Sequence, residues 1–154
     1  EVTLDPRTAS PDLLLSEDLR SLRLADGRRD LPDTPSRFTG SPSVLGSRGF
    51  SSGRHYWELE VGAVDSWAAG VALESVPRKD SLSRAMGKVW ALRRDWHGGY
   101  TALHMPPTPL ELQEQPRRVR IHLDCDAGTV TFYNTDNMEQ LLQFKASFSE
   151  RVFP

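Results

Sequence analysis

Residues 49 to 53 read Gly-Phe-Ser-Ser-Gly and satisfy the spacing G-x-S-x-G, so Gly49, Ser51 and Gly53 stand where a serine hydrolase carries its nucleophile elbow. The elbow needs a strand, a sharp turn and then a helix, whose free amides would hold the oxyanion. Here the residues that follow are Arg54-His55-Tyr56-Trp57-Glu58-Leu59-Glu60-Val61, in which Trp57, Leu59 and Val61 alternate with Tyr56, Glu58 and Glu60. That is a period of two, the pattern of a half-buried strand. The segment is therefore expected to be a tight turn shaped by Gly49 and Gly53, and catalysis by Ser51 is not expected.

The other groups able to do chemistry are scattered. His55, His97, His104 and His122 are far apart and stand in no H-E-x-x-H or C-x-x-C context, so no zinc site is expected. Asp124 and Asp126 flank Cys125 at an expected hairpin end, where aspartate is favoured because its side chain accepts from local amides. Cys125 has no basic neighbour in sequence to lower its pKa and reads as a passive thiol. Gly98-Gly99 leads into Tyr100 with no following lysine or helix, which is not a phosphate loop. No cofactor, metal or catalytic residue is expected.

What remains is a contact surface. Arg93-Arg94-Asp95-Trp96-His97-Gly98-Gly99-Tyr100 sets aromatic and charged side chains in a glycine-containing loop, and Trp, Tyr and Arg dominate binding hot spots. Two readings of Trp96 and Tyr100 stand side by side: a hot spot, or a cap over one end of the core with polar tips exposed. Trp57, Trp67 and Trp90 sit in strand patterns and are expected in the core.

These residues must be positioned by strands. Turns of Gly, Pro, Asp and Ser separate many short strand-like runs, and no stretch sustains the helical apolar period for three turns. Trp67, Ala69, Val71 and Leu73 share one face, and the small residues between them suggest a place where two sheets pack closely. Val119-Arg120-Ile121-His122-Leu123 and Thr129-Val130-Thr131-Phe132-Tyr133 read as a hairpin turning at residues 124–128. Residues 26–43, 74–88 and 104–117 are too rich in Pro and Ser to be strands throughout and are expected to be ordered surface loops. The fold class that follows is an all-β, antiparallel β-sandwich.

With 154 residues the chain suits one domain with a real core. A net charge of -2 leaves no basic footprint, and no nucleic-acid partner is expected. One cysteine permits no internal disulfide, and no run of about 18 apolar residues signals membrane insertion, so the chain reads as cytosolic. The beginning at Glu1 without Met, and the end at Pro154, read as a piece of something longer.

Taken together, the blocks resemble a PRY-SPRY domain, the C-terminal module of tripartite-motif ubiquitin ligases and the cytosolic part of butyrophilins. The PRY-like blocks are Val2-Thr3-Leu4-Asp5-Pro6, Thr8-Ala9, Leu15-Ser16-Glu17-Asp18, Asp30-Leu31-Pro32-Asp33 and Arg37-Phe38. The SPRY-like blocks are Val44-Leu45-Gly46, residues 53–62, Gly70-Val71, Glu74-Ser75-Val76 with Arg78-Lys79, Trp90-Ala91-Leu92, and Leu123-Asp124 through Gly128 to Phe132-Tyr133-Asn134. The resemblance implies a bent β-sandwich with a PRY segment at 1–43 and a SPRY segment at 44–154, integrated into one domain. It implies a non-catalytic recognition module whose loops bind a protein or peptide. In a tripartite-motif ligase, an upstream RING would carry the ubiquitin-transfer activity and a coiled coil would make the full-length chain a dimer, the domain itself being a monomer. The alternative is a ligand-sensing tail of a butyrophilin-like receptor.

Carried onto this chain, the expected pocket rim is Asp65 and Ser66, Arg78 and Lys79, the run Arg93, Arg94, Asp95, Trp96, His97 to Tyr100, Met105, and Asp136, Asn137 and Met138. Where some members present hydrophobic or aromatic residues just after the Trp90 position, this chain has Arg93, Arg94 and Asp95, which points to a more polar ligand, one with an acidic group or free carboxylate. Ala68 stands where butyrophilins that sense phosphorylated small molecules place a His. Cys125 and Arg120 replace a common Tyr and a common Gly. The family usually continues into a further strand beyond Phe153-Pro154, which would complete one side of the pocket.

Overall fold

The computed structural model describes residues 2–154. Its strands are β1 (Leu13–Leu15), β2 (Leu22–Leu24), β3 (Arg54–Glu60), β4 (Trp67–Leu73), β5 (Val89–Arg94), β6 (Tyr100–Leu103), β7 (Thr108–Leu110), β8 (Arg118–Asp124), β9 (Thr129–Asn134), β10 (Glu139–Lys145) and β11 (Val152–Phe153). A 3-10 helix, Leu82–Lys88, precedes β5. Every pairing between these strands is antiparallel. Strands β10-β9-β8-β3 form one sheet and β11-β4-β5-β6-β7 the other, with β1-β2 as a separate hairpin.

The alternation in the sequence becomes the sandwich interior. Trp57 of β3, Val119, Ile121 and Leu123 of β8, and Val130 and Phe132 of β9 meet Val71, Leu73, Trp90, Leu92 and Tyr100 of the second sheet in one core cluster. The expected hairpin is β8-β9, with Ile121 opposite Phe132 and Leu123 opposite Val130. Asp124 Oδ1 accepts from the Ala127 amide at 2.9 Å, and Asp126 Oδ2 accepts from the Gly53 amide at 3.2 Å, so both carboxylates secure backbone at the turn.

Strand β4 carries the expected face of Trp67, Ala69, Val71 and Leu73 against the opposing sheet. Its small residues face elsewhere. Ala72, with Val89 and Ala91 of β5, joins Phe38, Leu45, Val76 and Ala85 in a second core on the outer side of the five-stranded sheet. The close approach is therefore made by the N-terminal segment and the 3-10 helix, while sheet-on-sheet packing uses the large residues. Covering both faces explains why Val89 to Leu92 are all buried. At Gly70 a Cβ would lie 2.0 Å from the Trp90 carbonyl oxygen, so only glycine fits there.

Two of the expected loops carry structure of their own: residues 74–88 contain the 3-10 helix, and 104–117 contain β7. Residues 26–43 are a loop without a strand, tied down by Arg37, whose Nε donates to Pro32 O at 2.8 Å and whose Nη1 donates to Pro6 O at 3.1 Å and to Ala9 O at 2.8 Å.

Candidate partner-binding site

Strand register sorts the expected rim residues. In one sheet Leu59 pairs with Val119, Val119 with Asn134, and Asn134 with Glu139. In the other, Trp67 pairs with Arg94, Arg94 with Tyr100, and Tyr100 with Leu110. Residues 61–66 and 111–117 join these two rows from sheet to sheet. The loops 61–66, 95–99, 111–117 and 135–138 thus share one end of the sandwich, and Asp65, Ser66, Arg93 to His97, Tyr100 and Asp136 to Met138 are brought there together.

Arg78, Lys79 and Met105 are not. Met105 follows β6 at the opposite end, where its sulfur lies 3.5 Å from the position a Cβ on Gly87 would take, and it is 70% exposed. Arg78 and Lys79 serve as internal fasteners. The Arg78 guanidinium donates to Val76 O, Ser36 O and Glu74 O at 3.1, 2.7 and 2.9 Å and lies over the Phe38 ring. Burial lowers its pKa from the ordinary guanidinium value. Lys79 Nζ donates to Thr34 O at 2.7 Å and Arg37 O at 2.8 Å and pairs with Asp33. Both cations stitch the N-terminal segment to the sheet, because that segment contributes little regular secondary structure to satisfy its own carbonyls.

At the gathered end, some side chains hold the loops. Arg94 Nη1 donates to the carbonyls of Asp65 and Asp95, and Nη2 to Gln115 Oε1 at 3.4 Å, so one guanidinium joins loops 61–66, 95–99 and 111–117. Asp95 Oδ1 accepts from the amides of His97 at 2.9 Å and Gly99 at 3.0 Å. Those bonds, Gly99 first, hold its carboxyl below the usual carboxylate range. Gly98 completes the turn at φ +86°, a conformation most side chains resist. On the far loop, Asn137 Oδ1 accepts from Glu139 N at 2.9 Å, Asp136 pairs with Arg117 at 3.4 Å, and Met138 has φ +58°.

Other side chains at this end stand in solvent. Trp96 is 70% exposed, and Met138 is exposed as well. Val64, exposed in loop 61–66, joins them as a third apolar side chain at this end. Sequence periodicity did not single it out, because one Val between polar residues carries no period. Arg93 stands exposed on the outer face of β5, flanked across the strands by Ala68 and Thr101, and it makes no hydrogen bond or ion pair among the described residues. Tyr100 is different: it is 6% exposed and meets Trp67 edge-on at 6.4 Å. Tyr100 therefore closes the core as the cap reading expects, while Trp96 stands exposed.

The Gly-Phe-Ser-Ser-Gly segment runs straight into β3 without a helix. Phe50 bridges to Val152, and His55 Nε2 contacts Ser52 O at 2.8 Å and is not bonded to the Ser51 hydroxyl. Burial, with Asp126 and Asp124 beside it, raises the Cys125 thiol pKa, the reverse of activation. Among the described residues, no group of three or more His, Cys, Asp or Glu could hold a metal ion.

An antiparallel sandwich with its polar and aromatic loops gathered at one end defines an interaction module. The SPRY domain matches residues 54–154 and PRY, the SPRY-associated domain, matches residues 2–50; the chain belongs to the PRY-SPRY family of tripartite-motif and butyrophilin proteins, whose domains bind protein or peptide partners and are not catalytic themselves.

The chain is 41% identical to nuclear factor 7, ovary, of Xenopus laevis, over 98% of its own length and 25% of that protein's. It is 46% identical to human erythroid membrane-associated protein over 99% of this chain and 32% of that one. It is also 46% identical to bovine butyrophilin subfamily 1 member A1 over 100% of this chain and 30% of that one. It therefore spans between a quarter and a third of the length of these relatives. The TRIM65 PSpry domain has the same fold, with a TM-score of 0.85 at 24% identity, covering 99% of this chain and 81% of that one. The stonustoxin structure matches with a TM-score of 0.83 at 28% identity over 100% of this chain and 26% of that one. No helix among the described residues is long and apolar enough to cross a membrane.

Proposed function

We propose that this domain recognises a protein or peptide through the loop-built end of the sandwich and the adjoining outer face of β4, β5 and β6. The observation that carries the reading is Arg93: an exposed guanidinium that makes no hydrogen bond or ion pair among the described residues, next to a loop that presents Trp96. An arginine left free on a sheet surface suits a carboxylate, which it grips through two parallel donors, and an exposed tryptophan supplies apolar anchoring beside it. Ala68, directly across from Arg93, keeps the site open and supplies no second cation, which favours a peptide carboxylate over a small multiply charged ligand. Arg94, Asp95 and Gln115 hold the rim, so the loop meets its partner already ordered, which lowers the entropic cost of binding.

As part of a tripartite-motif ligase, the domain selects the substrate, and ubiquitin transfer is carried out by a RING elsewhere in the chain. The relation to nuclear factor 7 supports this reading. A second reading is favoured by the 46% identity to erythroid membrane-associated protein and butyrophilin: the domain is the ligand-sensing tail of a membrane receptor. Sequence upstream of the domain decides between them, cysteine and histidine zinc spacing marking the ligase and an apolar span of about 20 residues the receptor.

Recognition itself is tested by screening the purified domain against peptides displayed both internally and with free C-termini, in parallel with Arg93→Glu. A motif enriched by the parent and lost in the variant establishes the site. Enrichment that survives in the variant places recognition elsewhere, and no enrichment at all overturns the peptide reading in favour of a folded partner or a small ligand.

A further inference from the structure

The N-terminal segment lines an open cleft of about 570 Å³ made by residues that the loop-built end does not use. Arg28, Arg29 and Arg37 line it together with Leu31, Asp30 and Asp33. Arg37 is only 8% exposed, and its Nε and Nη1 are consumed by the three carbonyl oxygens of Pro32, Pro6 and Ala9. Its Nη2 makes no hydrogen bond among the described residues, and Asp33 acts on it through charge alone, outside ion-pair distance. A mostly buried guanidinium whose counter-charge stands outside hydrogen-bond reach gains from an anion that meets Nη2 directly.

The mouth adds to this. Arg28 is exposed and makes no hydrogen bond or ion pair among the described residues, while Arg29 spends one Nη1 donor on Leu13 O at 3.3 Å. Of the two acids in the lining, Asp33 pairs with Lys79 and also interacts through charge with Arg28 and Arg37, so three guanidinium groups face two carboxylates, one of them shared with Lys79. The cleft has far more room than one oxyanion fills, and Leu31 gives it an apolar wall, so the occupant is a side chain carried on an extended segment.

We infer that this cleft is a second recognition site, for an acidic residue presented by a protein segment, its carboxylate or phosphate monoester held by Arg28, Arg29 and the free edge of Arg37. It is independent of Arg93, and the domain would then grip a partner at two separate points.

The test measures fluorescence anisotropy of three labelled peptides: one alternating Glu and Gly, the same peptide with phosphoserine for Glu, and the same with Gln. The expected result is binding of the acidic peptides at least ten-fold tighter than the Gln peptide, weakening as salt is raised. Paired Arg28→Gln and Arg29→Gln substitutions should weaken it at least ten-fold, and should do so equally in an Arg93→Gln background, where the loop-built end no longer captures the peptide. The stronger of the Glu and phosphoserine peptides identifies the source of the charge, and competition by inorganic phosphate alone shows how much of the binding the oxyanion supplies. If the paired variant melts early, Arg28→Gln carries the test, because its exposed side chain makes no hydrogen bond or ion pair whose loss could unfold the protein. Equal binding of the Gln peptide, undiminished binding by the arginine variants, or a loss seen only in Arg93→Gln overturns the inference; the last outcome would leave the loop-end reading standing.

Discussion

Arg93 and Arg94 are consecutive residues of β5 that face opposite sides of the five-stranded sheet. Arg93 shares the outer face with Ala91, whereas Arg94 lies on the side of Leu92 and Trp90 and ties three loops together. Arg93 makes no hydrogen bond or ion pair among the described residues, whereas the donors of Arg94 are spent on the loops.

Substituting them should separate binding from scaffolding. Arg93→Glu is expected to weaken partner binding by about 2 kcal/mol or more with the melting temperature nearly unchanged, since nothing in the fold depends on it. Arg94→Gln should instead cost on the order of 1 kcal/mol of stability through its lost hydrogen bonds, and amide exchange should accelerate at residues 61–66, 95–99 and 111–117. Exchange confined to β5 would show that Arg94 does not hold the loops.

Trp96 and Tyr100 offer the same contrast between aromatic residues. Trp96→Ala should change stability by less than about 0.5 kcal/mol, the ring being mostly in solvent, while reducing affinity. Tyr100→Ala should cost about 3–5 kcal/mol, because it empties a buried site against Trp67. Chemical denaturation of the two variants checks both.

Gly70→Ala is expected to destabilise the domain at the upper end of about 1–3 kcal/mol, because the new methyl would meet the Trp90 carbonyl oxygen at 2.0 Å and the Ala91 Cα at 2.6 Å, and backbone cannot step aside as a side chain can. A midpoint of urea unfolding equal to that of the parent would show that β4 and β5 can spread.

His122 gives the domain a pH dependence. It lies between Tyr56 at 5.5 Å and Tyr133 at 5.0 Å on the outer face of the four-stranded sheet, with Nε2 buried and unpartnered among the described residues. Burial first, and Arg120 second, lower its pKa from the ordinary imidazole value. The unfolded chain then takes up a proton at a higher pH than the folded one, so this contribution to stability is full above the ordinary imidazole pKa and is lost as pH falls through the folded value. Unfolding free energy measured between pH 7 and pH 5 should decline less steeply in His122→Gln, and an unchanged slope would assign the decline to other groups.

Much of this architecture is legible in the order of residues. Trp57-Glu58-Leu59-Glu60 and Val119-Arg120-Ile121-His122-Leu123 alternate with period two, and in β3 and β8 each apolar member of those runs turns inward. Local chemistry was equally readable at Asp124 to Gly128, where a short side chain accepts from an amide a few residues on. The strand β7 was hidden because its three residues include Pro109, which obscures any period. The 3-10 helix was hidden because Leu82 to Lys88 is too short to display one.

The chain order by itself determined the all-β class, the faces of the main strands, the strand that follows Ser51, and the family, because each rests on neighbours a few residues apart or on blocks in fixed succession. Only the tertiary structure decided that Arg78 and Lys79 staple the N-terminal segment, that Met105 lies at the opposite end, that Arg94 clamps while Arg93 stands free, and that Arg28 and Arg29 share a cleft with the buried Arg37. An arginine's side chain is long enough to reach carbonyls tens of residues away in sequence, and which of its donors are left over is settled only when the chain has brought those carbonyls within reach.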